Sequence, residues 1–194
     1  NAIGSLGQID DQIAMGGAPI ISLDLNGNGI LDYVTAHHTL DNIYIYFDQI
    51  DFIENIYYPH EGFNPSPDYG SALLKKKGSE NLDGNLSNLI ISGKPGAAYL
   101  GSSFTSGDFN GDNVDDLLIG AYHEGGDGES FIIFGSNDMP TIGVVKILDI
   151  MDVRLSFSGF SGNLDLFGNE VCALDLNNDG FDDIVIAATV AWWQ

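Results

Sequence analysis

The chain has 194 residues, of which 28 are acidic and 6 are basic, and its formal net charge is −22. A domain of this length can bury a core, but its charge argues against nucleic acid or an anionic membrane surface as a partner, because both need a basic face. The single cysteine, Cys172, excludes an internal disulfide and a site built from several thiolates. No apolar run is long enough for a membrane-spanning helix, so we expect no membrane insertion.

The first strand-like segment, residues 19–23, leads into a loop at 24–32 with the sequence Asp-Leu-Asn-Gly-Asn-Gly-Ile-Leu-Asp. Apolar, β-branched and aromatic residues then predict strands at 31–36 and 43–47. The loop therefore lies between two predicted strands.

Residues 48–77 do not fit this pattern and form an insertion that is rich in polar and turn-forming residues. The insertion ends in Lys75-Lys76-Lys77, half of all the basic residues. We expect a solvated loop, and a docking loop for an acidic partner is the alternative. A sequon at Asn85 would accept an N-glycan if the chain is secreted, and a strand is predicted at 89–92.

A second loop of the same type occupies residues 108–116, between predicted strands at 103–106 and 117–121. Two more strands are predicted after it, at 130–134 and 154–157. The loop is therefore followed by the same kind of strand pattern as the first one.

The third loop, residues 175–183, again lies between predicted strands, at 171–174 and 184–188. No long segment has a 3.6-residue apolar period, so little helix is expected. The sequence thus predicts one all-β repeat region, with repeats at roughly 13–95, 96–160 and 161–194, the last of them incomplete.

All three loops follow the pattern D-x-N-x-[DN]-x-x-x-D, which places oxygen atoms at alternate positions. Calcium takes roughly six to eight oxygen ligands, several of them anionic. Positions 1, 3, 5 and 9 would supply side-chain oxygens, position 7 a backbone carbonyl, and Gly or Asn at position 6 would allow the sharp turn. The predicted ligands are Asp24, Asn26, Asn28, the Ile30 carbonyl and Asp32; Asp108, Asn110, Asp112, the Val114 carbonyl and Asp116; and Asp175, Asn177, Asp179, the Phe181 carbonyl and Asp183.

The number of carboxylates ranks these sites, because ligand charge tunes calcium affinity. The first loop has two ligand carboxylates and the others have three each, so the first site should be the weakest. Asp115 and Asp182, at position 8, fall outside the ligand register and are expected to be dispensable for binding. An EF-hand is excluded, because its position-12 Glu is absent and the flanks are strand-like; ordinary Asx- and Gly-rich turns remain the alternative.

Short motifs on either side of the loops resemble the FG-GAP repeat of integrin α-subunit propellers, in which Phe-Gly precedes the calcium loop and Gly-Ala-Pro follows it. The residues before the loops are Gly16-Gly17, Leu100-Gly101 and Phe167-Gly168, and those after them are Thr35-Ala36-His37, Gly120-Ala121-Tyr122 and Ala187-Ala188-Thr189. The resemblance implies an all-β fold of FG-GAP-type β-propeller blades, about three four-stranded antiparallel blades, as part of a larger propeller.

The resemblance also implies a function, namely an extracellular or cell-surface module that binds about three calcium ions and serves adhesion, partner binding or scaffolding. Its partner would be a protein or a glycan, or further blades from the same or another chain. The alternatives are an accessory propeller of a secreted enzyme and a structural subunit of a surface filament or coat. No catalytic role is expected, since no nucleophile or phosphate-loop motif is present and neighbouring His37 and His38 would face opposite sides of a strand.

Overall fold

The computed structural model describes residues 20–37, 41–47, 50–52, 74–76, 89–93, 99–122, 128–156 and 166–189. Several features named above lie outside these residues: the Gly16-Gly17 pair, most of the insertion at 48–77, the sequon at Asn85, and His38. The regular secondary structure of the described part of the chain is almost entirely β-strand, which confirms the predicted all-β class. None of its helices is long and apolar enough to cross a membrane.

The strands lie within or close to the predicted segments. In chain order they are β1 (Ile20–Leu23), β2 (Asp32–His37), β3 (Asn42–Tyr46), β4 (Ile50–Phe52), β5 (Leu74–Lys76), β6 (Leu89–Ser92), β7 (Leu100–Gly107), β8 (Asp116–Ala121), β9 (Glu129–Ile133), β10 (Gly143–Lys146), β11 (Val153–Ser156), β12 (Phe167–Leu174) and β13 (Asp183–Ala188). A single helical turn, α1 (Ile147–Ile150), joins β10 to β11 in the described chain.

The first sheet has the strand order β1-β2-β3-β6-β10, and its first four strands are antiparallel. Alternate residues of β6 are buried, because neighbouring side chains on a strand face opposite sides. The fifth strand was not predicted: β10 pairs in parallel with β6, with Val144 opposite Ile90. It covers an edge of β6 that would otherwise expose unpaired backbone groups.

The second sheet has the order β11-β9-β8-β7, with every pair antiparallel. This is the predicted four-stranded blade. Its second strand, β8, is buried along its whole length. Because β10 belongs to the first sheet and β11 to the second, the segment between β9 and β11 ties the two sheets together.

The remaining strands form two pairs. β12 and β13 are antiparallel, and β12 also lies against β7 and β8 of the second sheet. The third repeat is therefore represented by its first two strands in the described residues. Within the insertion, β4 and β5 pair antiparallel, so this segment contains strand structure where a solvated loop was expected.

The sheets approach most closely at the glycines of the Leu100-Gly101 and Phe167-Gly168 pairs. A β-carbon added at Gly101 would overlap that of Ala36, and one added at Gly120 would overlap the carbonyl oxygen of Gly168. Gly101 and Gly168 have φ of +78° and +87°, and the ladder register shifts beside each of them. Such positive-φ bulges favour glycine and leave room for the neighbouring sheet.

The main core lies between the first and second sheets. Its members share almost complete burial and come from β1, β2, β3 and β6 on one side and from β7, β8 and β9 on the other. Phe131, Leu117 and Ile119 of the second sheet pack in the same cluster as Ile43, Ile45 and Leu89 of the first. This packing holds the loop between β1 and β2 beside the loop between β7 and β8.

Candidate metal-binding loops

All three loops occupy the same place in the fold, between the first and second strands of their sheets. They connect β1 to β2, β7 to β8, and β12 to β13. Position 1 directly follows a strand in every loop, and position 9 (Asp32, Asp116 or Asp183) is the first residue of the next strand. The structure therefore confirms that each loop is flanked by strands and not by helices.

The position-1 carboxylate organises each loop from within. In the first loop Asp24 accepts the backbone N–H of Asn28 at 3.0 Å and that of Gly29 at 2.7 Å. The other two loops repeat both bonds at 3.0–3.1 Å: Asp112 and Asn113 donate to Asp108, and Asp179 and Gly180 donate to Asp175. The turn is thus wrapped around this carboxylate in all three loops.

The side chains at positions 3 and 5 also turn towards the loop backbone. The position-5 oxygen accepts the position-7 amide in every loop, for example from Ile30 to Asn28 at 2.8 Å; the equivalent bonds run from Val114 to Asp112 and from Phe181 to Asp179. The position-3 amide oxygen accepts the position-5 N–H in the first two loops. In the first two loops the side chains at positions 3 and 5 therefore lie on the inner side of the loop, and in the third loop the side chain at position 5 does.

The position-9 carboxylate closes the loop by accepting the position-2 N–H. The backbone amide of Leu25 donates to Asp32 at 3.1 Å, that of Phe109 to Asp116 at 2.8 Å, and that of Leu176 to Asp183 at 2.9 Å. In the first two loops this carboxylate belongs to a fully buried residue. A buried carboxylate at the base of each of these loops is the strongest electrostatic feature of the sites.

The carboxyl group of Asp116 shows the electrostatic cost of burying an acid beside other carboxylates of the same loop. Its pKa is raised to about 6, mainly by burial; N–H donors from Gly135 and Phe109 lower it, and the nearby carboxylates of Asp112 and Asp108 add to the rise. Desolvation and like charges both disfavour ionisation. A cation bound by these three carboxylates would remove this penalty, so the second loop fits a divalent ion.

The carboxylates do not form a ready-made cluster. Among the described residues, no group of three His, Cys, Asp or Glu side chains lies close enough together to hold a metal. A bound ion would therefore need the Asn oxygens and the position-7 carbonyl in addition to the carboxylates. Such an all-oxygen donor set suits a hard cation such as calcium and does not suit a soft metal.

The backbone at two positions of each loop is left-handed, and the sequence analysis identified only one of them. Position 6 has φ of +83°, +64° and +91° at Gly29, Asn113 and Gly180. Position 4 is also left-handed, at Gly27, Gly111 and Asn178, with φ of +67°, +78° and +62°. The recurrence of Gly or Asn at position 4 was the available signal, since these residues tolerate this conformation best.

Position 8, expected to be dispensable, carries a contact that the sequence analysis missed. The amide of Asp24 donates to Oδ2 of Asp115 at 2.7 Å, so an acid of the second loop binds the start of the first. In the same way the amide of Asp108 donates to Oδ2 of Asp182 at 3.0 Å. The available signal was that position 8 is acidic in the two later loops, whereas it is Leu31 in the first.

Comparison with known families supports the repeat assignment. The FG-GAP repeat model matches residues 100–133 and 167–191. These two segments are therefore similar to FG-GAP repeats. The matches begin at the Leu100-Gly101 and Phe167-Gly168 pairs and include the second and third loops. FG-GAP repeats indicate a β-propeller, in agreement with the packed antiparallel sheets; the first loop lies outside the matched residues but shares the hydrogen bonds described above.

Proposed function

We propose that the three loops bind calcium and that the chain is a non-enzymatic, extracellular propeller module for adhesion, partner binding or scaffolding. One observation carries the proposal: the oxygens at positions 1, 5 and 9 turn inward in three separate loops and are held by equivalent hydrogen bonds. An ordinary hairpin turn needs no such set, because one or two Asx hydrogen bonds are enough to stabilise it.

Electrostatics gives the proposal its energetic basis. The ligand positions carry two aspartates in the first loop and three in each of the others, in a chain with a net charge of −22. Calcium bound to a loop would supply the positive charge that offsets this repulsion. Because the ligand set exists only in the folded chain, binding should add directly to folding stability.

The first loop should be the weakest site, because it offers Asn28 where the other loops offer Asp112 and Asp179. The third loop is the most exposed, with Asp175, Asn177 and Asp179 all open to solvent. Calcium sites of extracellular modules work at dissociation constants of about 10⁻⁴ to 10⁻³ M. A dissociation constant in this range is what the proposed extracellular location predicts for these loops.

The strands and loops also offer a binding surface that is independent of the metal. The proposed calcium loops lie next to one another at the ends of the strands that they connect. A protein or glycan partner would therefore contact other loops of the module. The metal would then act as a structural brace for the sheets that present those loops. In a scaffold whose binding residues lie on loops of a rigid fold, one set of loops is expected to stabilise the fold and another to contact the partner.

Calorimetric titration and thermal unfolding test the metal assignment on the full chain. At a free calcium concentration of 100 times the Kd, one site adds about 2.7 kcal/mol, which corresponds to a rise in Tm of roughly 5–10 °C for a domain of this size. Asp112→Ala and Asp179→Ala should each weaken one site by at least about tenfold, the loss that even an outer-shell change causes.

Asp149→Ala is the matched control, because it removes the same charge from an exposed residue of α1. It should leave every site intact. Equal titration curves for Asp149→Ala, Asp112→Ala and Asp179→Ala would refute the ligand assignment. An unchanged Tm in calcium and in EDTA at low ionic strength would refute calcium binding itself.

A further inference from the structure

The acid at position 8 links each loop to the loop before it in the chain. Asp115 holds the amide of Asp24, and Asp182 holds the amide of Asp108. At the second junction the amide of Asp182 also donates to the carbonyl oxygen of Asp108 at 3.0 Å, so this junction has two bonds. The same position makes the same contact at both junctions.

A second contact accompanies this hydrogen bond at each junction, and it joins position 7 to position 4 of the preceding loop. A β-carbon added at Gly27 would lie 3.1 Å from a methyl group of Val114, and one added at Gly111 would overlap the ring of Phe181. The backbone at position 4 therefore lies directly against the side chain of the following loop. The junction is a repeated structural unit and not an isolated hydrogen bond.

The residue held by this unit is the one that organises its loop. The carboxylate of Asp108 accepts the amides of its own turn, while its backbone amide is fixed by Asp182. A carboxylate that accepts a backbone N–H forms one of the stronger hydrogen bonds in proteins. Loss of Asp182 would thus free the backbone at the position-1 ligand of the second loop while leaving the third loop's own hydrogen bonds in place.

We propose that Asp115 and Asp182 are positioning residues that couple each calcium loop to the loop before it, so that a change in one loop's position-8 acid weakens binding in the preceding loop. This inference rests on the proposed calcium binding. The coupling is directional: Asp182 acts on the second loop and Asp115 on the first. Leu31, at position 8 of the first loop, is half exposed and offers no carboxylate for such a contact.

NMR of the full chain can report on each loop separately. The position-6 amides of Gly29, Asn113 and Gly180 each donate to the position-1 carboxylate of their own loop. In a calcium titration of Asp182→Ala, the half-saturation concentration at Asn113 should rise about tenfold, as expected for one hydrogen bond to a charged acceptor. The value at Gly180 should stay unchanged.

Asp115→Ala supplies the matched variant, because it should raise the half-saturation concentration at Gly29 and leave that at Asn113 unchanged. Gly107→Ala perturbs the second junction without changing the charge: its β-carbon would lie 2.8 Å from Oδ2 of Asp182. It should reproduce the pattern of Asp182→Ala. Leu31→Ala should leave the Asn113 and Gly180 curves unchanged.

Hydrogen exchange in EDTA separates this inference from calcium binding. Without metal, Asp182→Ala should still speed exchange at Asn113 and at the amide of Asp108, and not at Gly180. If the position-6 amide signals of the wild type do not change with calcium, the proposed calcium binding is wrong. The hydrogen-exchange rates in EDTA still show whether the position-8 acids couple the loops. Equal effects of Asp182→Ala at Asn113 and Gly180, an effect at Gly180 alone, or no effect at either would overturn the coupling.

Discussion

Gly111→Ala tests how tightly the second and third loops pack. The added methyl would enter the space held by the Phe181 ring, at a residue whose φ is +78°. A left-handed alanine costs roughly 1 kcal/mol, and overpacking adds typically 1–3 kcal/mol. We therefore expect the free energy of unfolding to fall by about 2–4 kcal/mol.

Gly180→Ala isolates the backbone part of this loss. Its φ is +91°, and no atom lies within 4 Å of an added β-carbon. It should cost only the roughly 1 kcal/mol of left-handed strain. Urea unfolding in EDTA, followed by circular dichroism, measures both variants without any contribution from bound metal.

Phe181→Ala completes a double-mutant cycle with Gly111→Ala. Removing the ring should relieve the clash, so the two substitutions together should cost less than the sum of their separate effects by about 1–2 kcal/mol. The packing argument would be refuted if the two losses were additive, or if Gly180→Ala destabilised the protein as much as Gly111→Ala does.

Two further predictions concern buried acids. Arg154→Met should lower the free energy of unfolding by about 1–2 kcal/mol in urea, because the buried Glu129 loses its bidentate partner. The loss should stay below that of a fully buried pair, because Arg154 is half exposed. Adding Glu129→Gln to this variant should recover part of the stability, and a further loss would contradict the charge argument. Asp116 has a raised pKa, so its protonated form stabilises the metal-free fold: this contribution is complete below pH 3.8 and is lost as pH rises through about 6. Relative to Asp116→Asn, the wild type should therefore lose stability over this range in EDTA, and a pH-independent difference would contradict it.

The local part of the fold was predictable from sequence because each strand is short, apolar and bounded by turn residues. Residues 89–92 are the clearest case, since the predicted segment and β6 coincide. The inward turn of the loop side chains was predictable for a related reason: the oxygens at positions 1, 5 and 9 make hydrogen bonds within their own loop in all three loops, while their role as metal ligands stays a prediction. Neither prediction required knowledge of the neighbouring sheet.

The features that the sequence did not reveal depend on residues far apart in the chain. β10 pairs in parallel with β6 across a long connection, and a four-residue segment with only two β-branched residues, such as 143–146, does not specify its partner strand. The contact from Asp115 to the amide of Asp24 is equally remote in sequence. A position-8 acid has no evident role when its loop is considered alone, because its carboxylate accepts a backbone amide of another repeat.

The burial of the loops separates these local and long-range contributions. The first loop has Asn26 and Asp32 buried, the second has Asp116 buried with Asp112 exposed, and every position from 174 to 181 in the third is exposed. Yet the position-1, position-5 and position-9 hydrogen bonds are the same in all three. The loop conformation is therefore set by its own residues, whereas contact with the following loop adds to it from outside. At the proposed sites a calcium ion would need the first contribution in order to bind, and the position-8 acids would supply the second, so substitutions at these two kinds of position should differ in which loop they affect.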